Sequence, residues 1–127
     1  MTEIEEIIET LEIQNTHNTP YVLFKPDGHL LINGRYIPEN VSNFTDLLMD
    51  WVRIYIQSPV STTKLRLELE YINDSSKYLL LIIKELQKNC PKFTVEWAYE
   101  EGDDDMLELG KIICASSGSI FTFMKTE

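Results

Sequence analysis

The segment Asn73–Ser76 places small polar side chains where a predicted strand ends and a predicted helix begins. Free backbone N–H groups and the helix dipole favour negative charge at a helix N-terminus, so a phosphate ester would be stabilised there. A phosphate on Ser75 or Ser76 would add about −1.5 to −2 charge, enough to cause a protein partner to dissociate or to bind. Plain helix capping by Asp74 or Ser75 accounts for the same residues. The segment therefore predicts either a phosphorylation switch or an ordinary helix start.

Leu81 is the second candidate residue, because the spacing of its helix turns it away from the predicted core. On a helical wheel it lies beside Lys84 and Glu85, about 200° from the apolar stripe. An outward-facing leucine close to a polar turn suggests a protein-binding patch. Single exposed leucines are also common in proteins without such a patch, so both interpretations stay open.

Other chemistry has weaker support in the sequence. The chain has neither a glycine-rich phosphate loop nor a G-x-S-x-G motif, and His17 and His29 lack zinc-type partners at ligand spacing. The acidic run at 100–105 lacks the D-x-D-x-D-G spacing of a calcium loop. We interpret that run as a solvated loop and helix start, with weak Mg²⁺ or Ca²⁺ binding as the alternative. We expect no catalytic residue, no cofactor and no dedicated metal site.

Charge and composition restrict the partners and the compartment. The 127 residues include 21 Asp+Glu against 11 Lys+Arg, for a formal net charge of −10. Segments 1–19 and 96–108 contain acidic residues and neither Lys nor Arg, so we expect no binding to nucleic acid or to an anionic membrane. An acidic N-terminus and short apolar runs predict neither an export signal nor a membrane span. We expect a cytoplasmic protein whose Cys90 and Cys114 stay reduced.

Hydrophobic periodicity and turn residues predict the elements that position these candidates. The order is a short helical turn running into a strand at 10–14, a β-hairpin, and then α, β, α, β, α, β. The predicted elements are strands Tyr21–Lys25 and His29–Asn33 joined at Pro26–Gly28, a helix capped by Ser42, strand Lys64–Ile72, a helix starting in Asn73–Ser76 and ending at Asn89, a strand over 93–99, a helix opened by Asp103–Asp105, and a strand over 119–124.

Two further details of the pattern bear on the site. Leu47 belongs to the predicted core stripe of the first long helix, and Tyr71 falls on the same inward-facing side of its strand as the leucines, alternating with Glu70. Asn33-Gly34 is predicted to end the second hairpin strand. Because strand–helix–strand units need right-handed crossovers, the later strands should be parallel. The fold class is therefore α/β, one mixed sheet with about three packed helices, in a single domain over residues 1–127.

An ordered set of residues across nearly the whole chain resembles the SiaC-type regulatory phosphoproteins, whose fold is similar to that of STAS domains. The matching residues are Thr19-Pro20, Gly34, Tyr36-Ile37-Pro38-Glu39-Asn40, Trp51, Leu69-Glu70-Tyr71-Ile72-Asn73-Asp74-Ser75-Ser76-Lys77, Trp97-Ala98-Tyr99-Glu100-Glu101 and Asp104-Asp105.

The resemblance implies a non-enzymatic switch protein. Members of the family are phosphorylated by a partner-switching serine/threonine kinase and dephosphorylated by a PP2C-type phosphatase. In one form the best-known member binds and activates a diguanylate cyclase, which links the switch to cyclic-di-GMP signalling and biofilm formation in bacteria. Asn73 and Lys77 match the family's pattern, and together with Tyr78 and the outward-facing Leu81 they are the expected partner-binding residues.

The sequence departs from the family at the phosphoacceptor itself. The family accepts phosphate on a threonine in an N-T-S-S turn, and here Asp74 occupies that position. Three alternatives follow: Ser75 or Ser76 has taken over, the protein stays near one state, or the switch is lost. We therefore expect a partner-switching signalling adaptor. The alternative is a small acidic metal-binding or structural subunit without a switch.

Overall fold

The computed structural model describes residues 8–72 and 76–127. Six strands and three helices follow one another in the predicted order. They are β1 (Leu11–Ile13), β2 (Tyr21–Phe24), β3 (His29–Tyr36), α1 (Val41–Tyr55), β4 (Thr63–Ile72), α2 (Ser76–Asn89), β5 (Phe93–Glu100), α3 (Asp104–Ser117) and β6 (Ile120–Thr126).

All six strands form one mixed sheet in the order β1-β2-β3-β4-β5-β6. The pairs β1–β2 and β2–β3 are antiparallel, and the three pairs from β3 to β6 are parallel. Right-handed crossovers between successive neighbouring strands place α1, α2 and α3 on the same face of the sheet, where α2 contacts both other helices. The predicted α/β class and mixed sheet are confirmed.

The core lies between the helices and one face of the sheet. The apolar stripe predicted for α2 is confirmed, since Leu79, Ile82, Ile83 and Leu86 are all fully buried. Among the described residues no helix covers the opposite face of the sheet, which carries both apolar and charged side chains. At its centre Arg66 contacts Glu68 and Glu96, and the Glu68 carboxylate raises the pKa of the Arg66 guanidinium. The molecule is thus a two-layer structure with one open sheet face.

The turns explain where several elements begin. Gly28 closes the β2–β3 hairpin with φ of +97°, in the left-handed region that favours glycine, as the Pro-Asp-Gly sequence predicted. Asp103 caps α3 by accepting a hydrogen bond of 3.1 Å from the backbone N–H of Met106, as the acidic helix start predicted. No helix in residues 8–72 and 76–127 combines the length and the apolar character needed to cross a bilayer.

Two local predictions for α1 were wrong. Asn40, not Ser42, caps α1, because the Asn40 Oδ1 atom accepts a hydrogen bond of 3.0 Å from the N–H of Asn43. Leu47 is 48% exposed, so the buried stripe of α1 is narrower than its apolar pattern. The predicted helical turn before β1 falls mostly on residues outside the described part of the chain, and residues 8–10, which lie within it, are not helical.

The two strands beside the candidate turn also differ from expectation. β3 does not end at Asn33-Gly34 but continues to Tyr36, and Gly34 adopts φ of +124° within the strand. There the pairing shifts: Gly34 lies opposite Leu69, and the next residue, Arg35, lies opposite Tyr71. Glu70 is the extra residue of a β-bulge. The bulge reverses the predicted alternation, so Tyr71 is 53% exposed instead of facing the core.

Candidate functional site

The candidate turn connects the end of β4 to the start of α2. Asn73, Asp74 and Ser75 lie outside the described residues, which end at Ile72 and resume at Ser76. Ile72 ends β4 and packs against the core, and Ser76 begins α2 as a half-buried residue. The turn therefore lies at the carboxyl end of the parallel strands, where ligand and partner sites of open α/β sheets are usually found.

The bulge makes the end of β4 part of the surface beside this turn. Because Tyr71 lies opposite Arg35 and Ile72 lies opposite the buried Tyr36, the two residues face different sides of the sheet. An exposed tyrosine two positions before Asn73 was missed by the sequence analysis. The available signal was Gly34, since a glycine inside a strand pattern often marks a bulge.

The outer face of α2 carries the predicted partner-binding residues. Leu81 is 53% exposed, which agrees with its predicted orientation, and Lys77 is exposed one turn before it. Tyr78 is half-buried, with the Lys77 Nζ atom 5.2 Å from the centre of its ring. The described residues of the predicted set therefore lie together on the first two turns of α2.

A row of lysines extends this face along the helix. Lys84 and Lys88 are exposed and, at helical spacing, lie within about 60° of Lys77 and Leu81 around the helix axis. We call Lys77, Leu81, Lys84 and Lys88 the α2 stripe. It is a mainly basic strip on a chain whose net charge is −10, and the half-buried Glu85 is the acidic residue beside Leu81. Helical spacing predicted Lys84 beside Leu81, but the sequence analysis did not group Lys84 with Lys77 and Lys88.

Acidic residues surround the other side of the turn. β4 pairs with β5 only as far as Glu68 and Ala98, and beyond these residues the strands separate. Two cavities of about 330 and 300 Å³ open in this gap, and both are lined by Glu70 and Asp103. The second cavity reaches Tyr71 and Ile72, and Asp105 adds another carboxylate to it. The end of β4 thus borders an acidic cleft, and the α2 helix that follows it carries a mainly basic face.

The geometry gives little support to catalysis or to a metal site. Within the described ranges, no three His, Cys, Asp or Glu side chains are arranged to hold a metal ion, and Asp103 serves as a helix cap. His29 lies 3.1 Å from Asp27, but both side chains are largely exposed at the hairpin, where hydrogen bonds from His29 lower the pKa of Asp27. Cys90 and Cys114 are free thiols, and burial raises the pKa of Cys90.

Comparison with solved structures shows the same fold in known proteins. One chain of the crystal structure of the diguanylate cyclase SiaD in complex with its activator SiaC, from Pseudomonas aeruginosa, is similar with a TM-score of 0.81. The identity is 24%, over 91% of this chain and 99% of that one. The crystal structure of apo-SiaC from Pseudomonas aeruginosa is similar with a TM-score of 0.77 and 21% identity, over 91% of this chain and 98% of that one. At these identities the likeness establishes the fold.

Comparison of the sequence with curated proteins gave no match. The model of the SiaC family regulatory phosphoproteins matches residues 13–125, which include every strand and helix of the sheet from β2 to α3. The matched range contains the candidate turn and the whole α2 stripe. The chain therefore belongs to the SiaC family of regulatory phosphoproteins.

Proposed function

We propose that this protein is a non-enzymatic partner-switching regulator that binds a diguanylate cyclase through the turn Asn73–Ser76 and the α2 stripe. The observation that carries the proposal is the exposed Leu81 between exposed lysines, on the helix that begins at the family's phosphoacceptor turn. Its family consists of regulatory phosphoproteins, and a protein of the same fold is known in complex with the cyclase it activates.

The chemistry of the α2 stripe indicates the kind of surface it binds. An exposed aliphatic side chain supplies apolar contact area, and the surrounding lysines supply charge that orients the partner. The rest of the protein is strongly acidic, so an acidic partner surface would be attracted to this face and repelled elsewhere. We infer a partner surface that carries an apolar pocket bordered by Asp and Glu.

The switch would act through charge at the start of α2. A phosphate on Ser75 or Ser76 would add about −1.5 to −2 charge beside Lys77 and oppose an acidic partner. Asp74 carries about half that charge permanently, and it cannot form the same stable phosphoester. A serine/threonine kinase and a PP2C-type phosphatase are the enzymes that this proposal requires.

The direct test is a binding measurement with a diguanylate cyclase from the same organism, by isothermal titration calorimetry and by the rate of cyclic-di-GMP formation. Leu81→Asp should weaken binding at least about tenfold, because it removes the central apolar contact and adds a repelling charge. Ile112→Asp is the matched control, since Ile112 lies on α3 and is 55% exposed against 53% for Leu81.

Equal losses in Leu81→Asp and Ile112→Asp would contradict the proposed surface. Failure of the wild-type protein to bind any diguanylate cyclase of the organism would contradict the proposed partner. Circular dichroism checks that each variant is folded. We expect both to fold, because both substituted positions are exposed.

A further inference from the structure

β6 forms an unprotected edge of the sheet. Its seven residues pair with β5 alone, so within the described chain the outer row of backbone N–H and C=O groups has no strand partner. β1 at the other edge has three residues, and such short strands are one way in which proteins protect sheet edges. β6 has neither a proline nor a cluster of charges, and Lys125 is its one charged residue. Such an edge is a template for another strand.

β6 carries apolar side chains on both faces of the sheet. Ile120 is 69% exposed on the open face, and Phe121 and Phe123 are half-buried on the helix face. Their rings lie 5.9 Å apart at an angle of 40°. The strand contains no acidic residue although the chain carries a net charge of −10. Two copies could therefore approach along this edge without placing carboxylates against each other.

We propose that β6 pairs in antiparallel orientation with β6 of a second copy, about a two-fold axis at Phe123. This register places Phe123 opposite itself and Thr122 opposite Met124 of the second copy. It also places Lys125 opposite Phe121 of the second copy, within reach of a cation–π contact. The two sheets then form one continuous sheet, and the outer backbone groups of β6 gain partners.

The sequence of β6 favours a second copy over a different protein as the occupant. In this register the same seven residues provide both members of each pair, and on the helix face these pairs are Phe123 with Phe123 and Lys125 with Phe121. The acidic remainder of each copy opposes the approach of another, so dimerisation should become stronger as salt screens that repulsion. This inference is independent of the proposed function, because β5 separates β6 from the strand that leads into α2.

Sedimentation equilibrium of the full chain tests the proposal. We expect a concentration-dependent shift from monomer to dimer that moves to lower protein concentration between about 0.05 and 0.5 M salt. Thr122→Glu, at an exposed position near the axis, should raise the dimer dissociation constant about fivefold or more. Thr62→Glu adds the same charge at an exposed position before β4 and should have little effect.

A cysteine at the axis tests the register. Opposed residues of antiparallel strands have Cα atoms about 4.5–5.5 Å apart, a spacing that a disulfide accepts. Phe123→Cys should therefore form a covalent dimer under mild oxidation, and Gln87→Cys, exposed on α2, should not. A folded monomer at all concentrations would overturn the proposal, and so would a dimer unaffected by Thr122→Glu. If Phe123→Cys does not fold, the comparison of Thr122→Glu with Thr62→Glu decides.

Discussion

Arg35 of β3 lies opposite Tyr71 of β4, while Glu70, the residue before Tyr71, has no partner on β3. This bulge turns Tyr71 to the surface and keeps Ile72 against the core beside Tyr36. The bulge lies beyond Glu68, the last residue of β4 that pairs with β5. Glu70 therefore disturbs only the pairing between β3 and β4. At the end of β4, Tyr71 therefore faces solvent while Ile72, the next residue, stays in the core.

Deletion of Glu70 tests this relationship. Without Glu70, Tyr71 follows Leu69 directly and still lies opposite Arg35, so every side chain keeps its face. We expect the free energy of unfolding to fall by less than about 2 kcal/mol, measured by urea denaturation with tryptophan fluorescence.

Deletion of Glu68, two residues earlier, is the matched control. It would move Leu69 to the open face and place Glu70 at the buried position of Leu69, which is 6% exposed. We expect a loss of at least about 3 kcal/mol or no folded protein. If the two deletions lowered the free energy of unfolding by similar amounts, Glu70 would not be the extra residue that the bulge accommodates.

The same region shows what the sequence can and cannot predict. The buried stripe of α2 could be predicted from helical spacing alone. The apolar residues on one face of this helix are the ones that the structure buries: Leu79, Ile82, Ile83 and Leu86. The exposure of Tyr71 depends on Gly34 in another strand, a pairing that a local pattern does not contain. The sequence of β4 alone therefore assigned Tyr71 to the wrong face.

Helix α1 illustrates two other limits of sequence reasoning. Asn40 and Ser42 are both good capping residues, and only the geometry of the chain selects Asn40. Leu47 lies at the margin of the apolar stripe, and whether it is covered depends on how α2 packs beside α1. At the site, the exposure of Leu81 could be predicted from its own helix, because it required no information about neighbouring elements.

Gly110→Ala should destabilise the protein, although alanine is the better helix former by about 1 kcal/mol. A Cβ atom at position 110 would lie 2.5 Å from Nε1 of Trp97. Trp97 is 1% exposed, and its Nε1–H donates a hydrogen bond of 3.1 Å to the carbonyl of Met106, so the ring has little room to move. We expect a net loss of about 1–3 kcal/mol in urea denaturation.

Ser116→Ala is the control for this prediction, because Ser116 is exposed on the same helix. It should leave the free energy of unfolding within about 0.5 kcal/mol of the wild type. If Gly110→Ala stabilised the protein instead, this result would contradict the prediction. It would mean that α3 can shift away from Trp97 and accommodate the methyl group without cost.

Two buried tyrosines should respond differently to loss of their hydroxyl groups. The hydroxyl of Tyr55 lies 2.8 Å from the hydroxyl of Thr63 in a buried hydrogen bond, whereas the buried hydroxyl of Tyr36 has only the buried hydroxyl of Thr45 near it and forms no hydrogen bond of normal geometry. Burial raises the pKa of both phenols. Tyr55→Phe should cost about 1 kcal/mol or more, because the Thr63 hydroxyl loses its partner.

Tyr36→Phe should be neutral or slightly stabilising, because it removes a buried polar group that gains no hydrogen bond. Thermal or urea unfolding of the two variants measures the difference. Equal losses would indicate that the Tyr36 hydroxyl is paired in solution, with water or with a neighbouring residue.

The lysines of the α2 stripe should set the salt dependence of cyclase binding. Lys84→Glu reverses one exposed charge beside Leu81 and should weaken binding about three- to tenfold at low salt. The loss should shrink as salt is raised towards 0.5 M, at which the Debye length is only about 4–5 Å. Isothermal titration calorimetry at several salt concentrations measures both effects.

Lys111→Glu is the control for Lys84→Glu, because Lys111 is exposed on α3 and the net charge of the two variants is equal. It should change the affinity by less than about twofold. A loss as large as that of Lys84→Glu would mean that net charge, and not the α2 stripe, attracts the partner.

Position 74 decides whether the switch is fixed or reversible. Asp74→Asn removes one negative charge from the turn before Lys77, so it should strengthen cyclase binding about three- to tenfold if the partner surface is acidic. Incubation with the organism's partner-switching kinase, followed by intact-mass and peptide mass spectrometry, measures phosphorylation directly. We expect one phosphate on Ser75 or Ser76 in the wild type, and none in the double variant Ser75→Ala/Ser76→Ala.

Asp74→Thr restores the family's N-T-S-S turn and supplies the positive control for the kinase. If it is phosphorylated while the wild type is not, the serines have not replaced the threonine, and Asp74 holds the protein in one state. Unchanged affinity in Asp74→Asn would then show that the cyclase does not detect this charge. The turn would be a helix start without a regulatory role, and cyclase binding would depend on the α2 stripe alone.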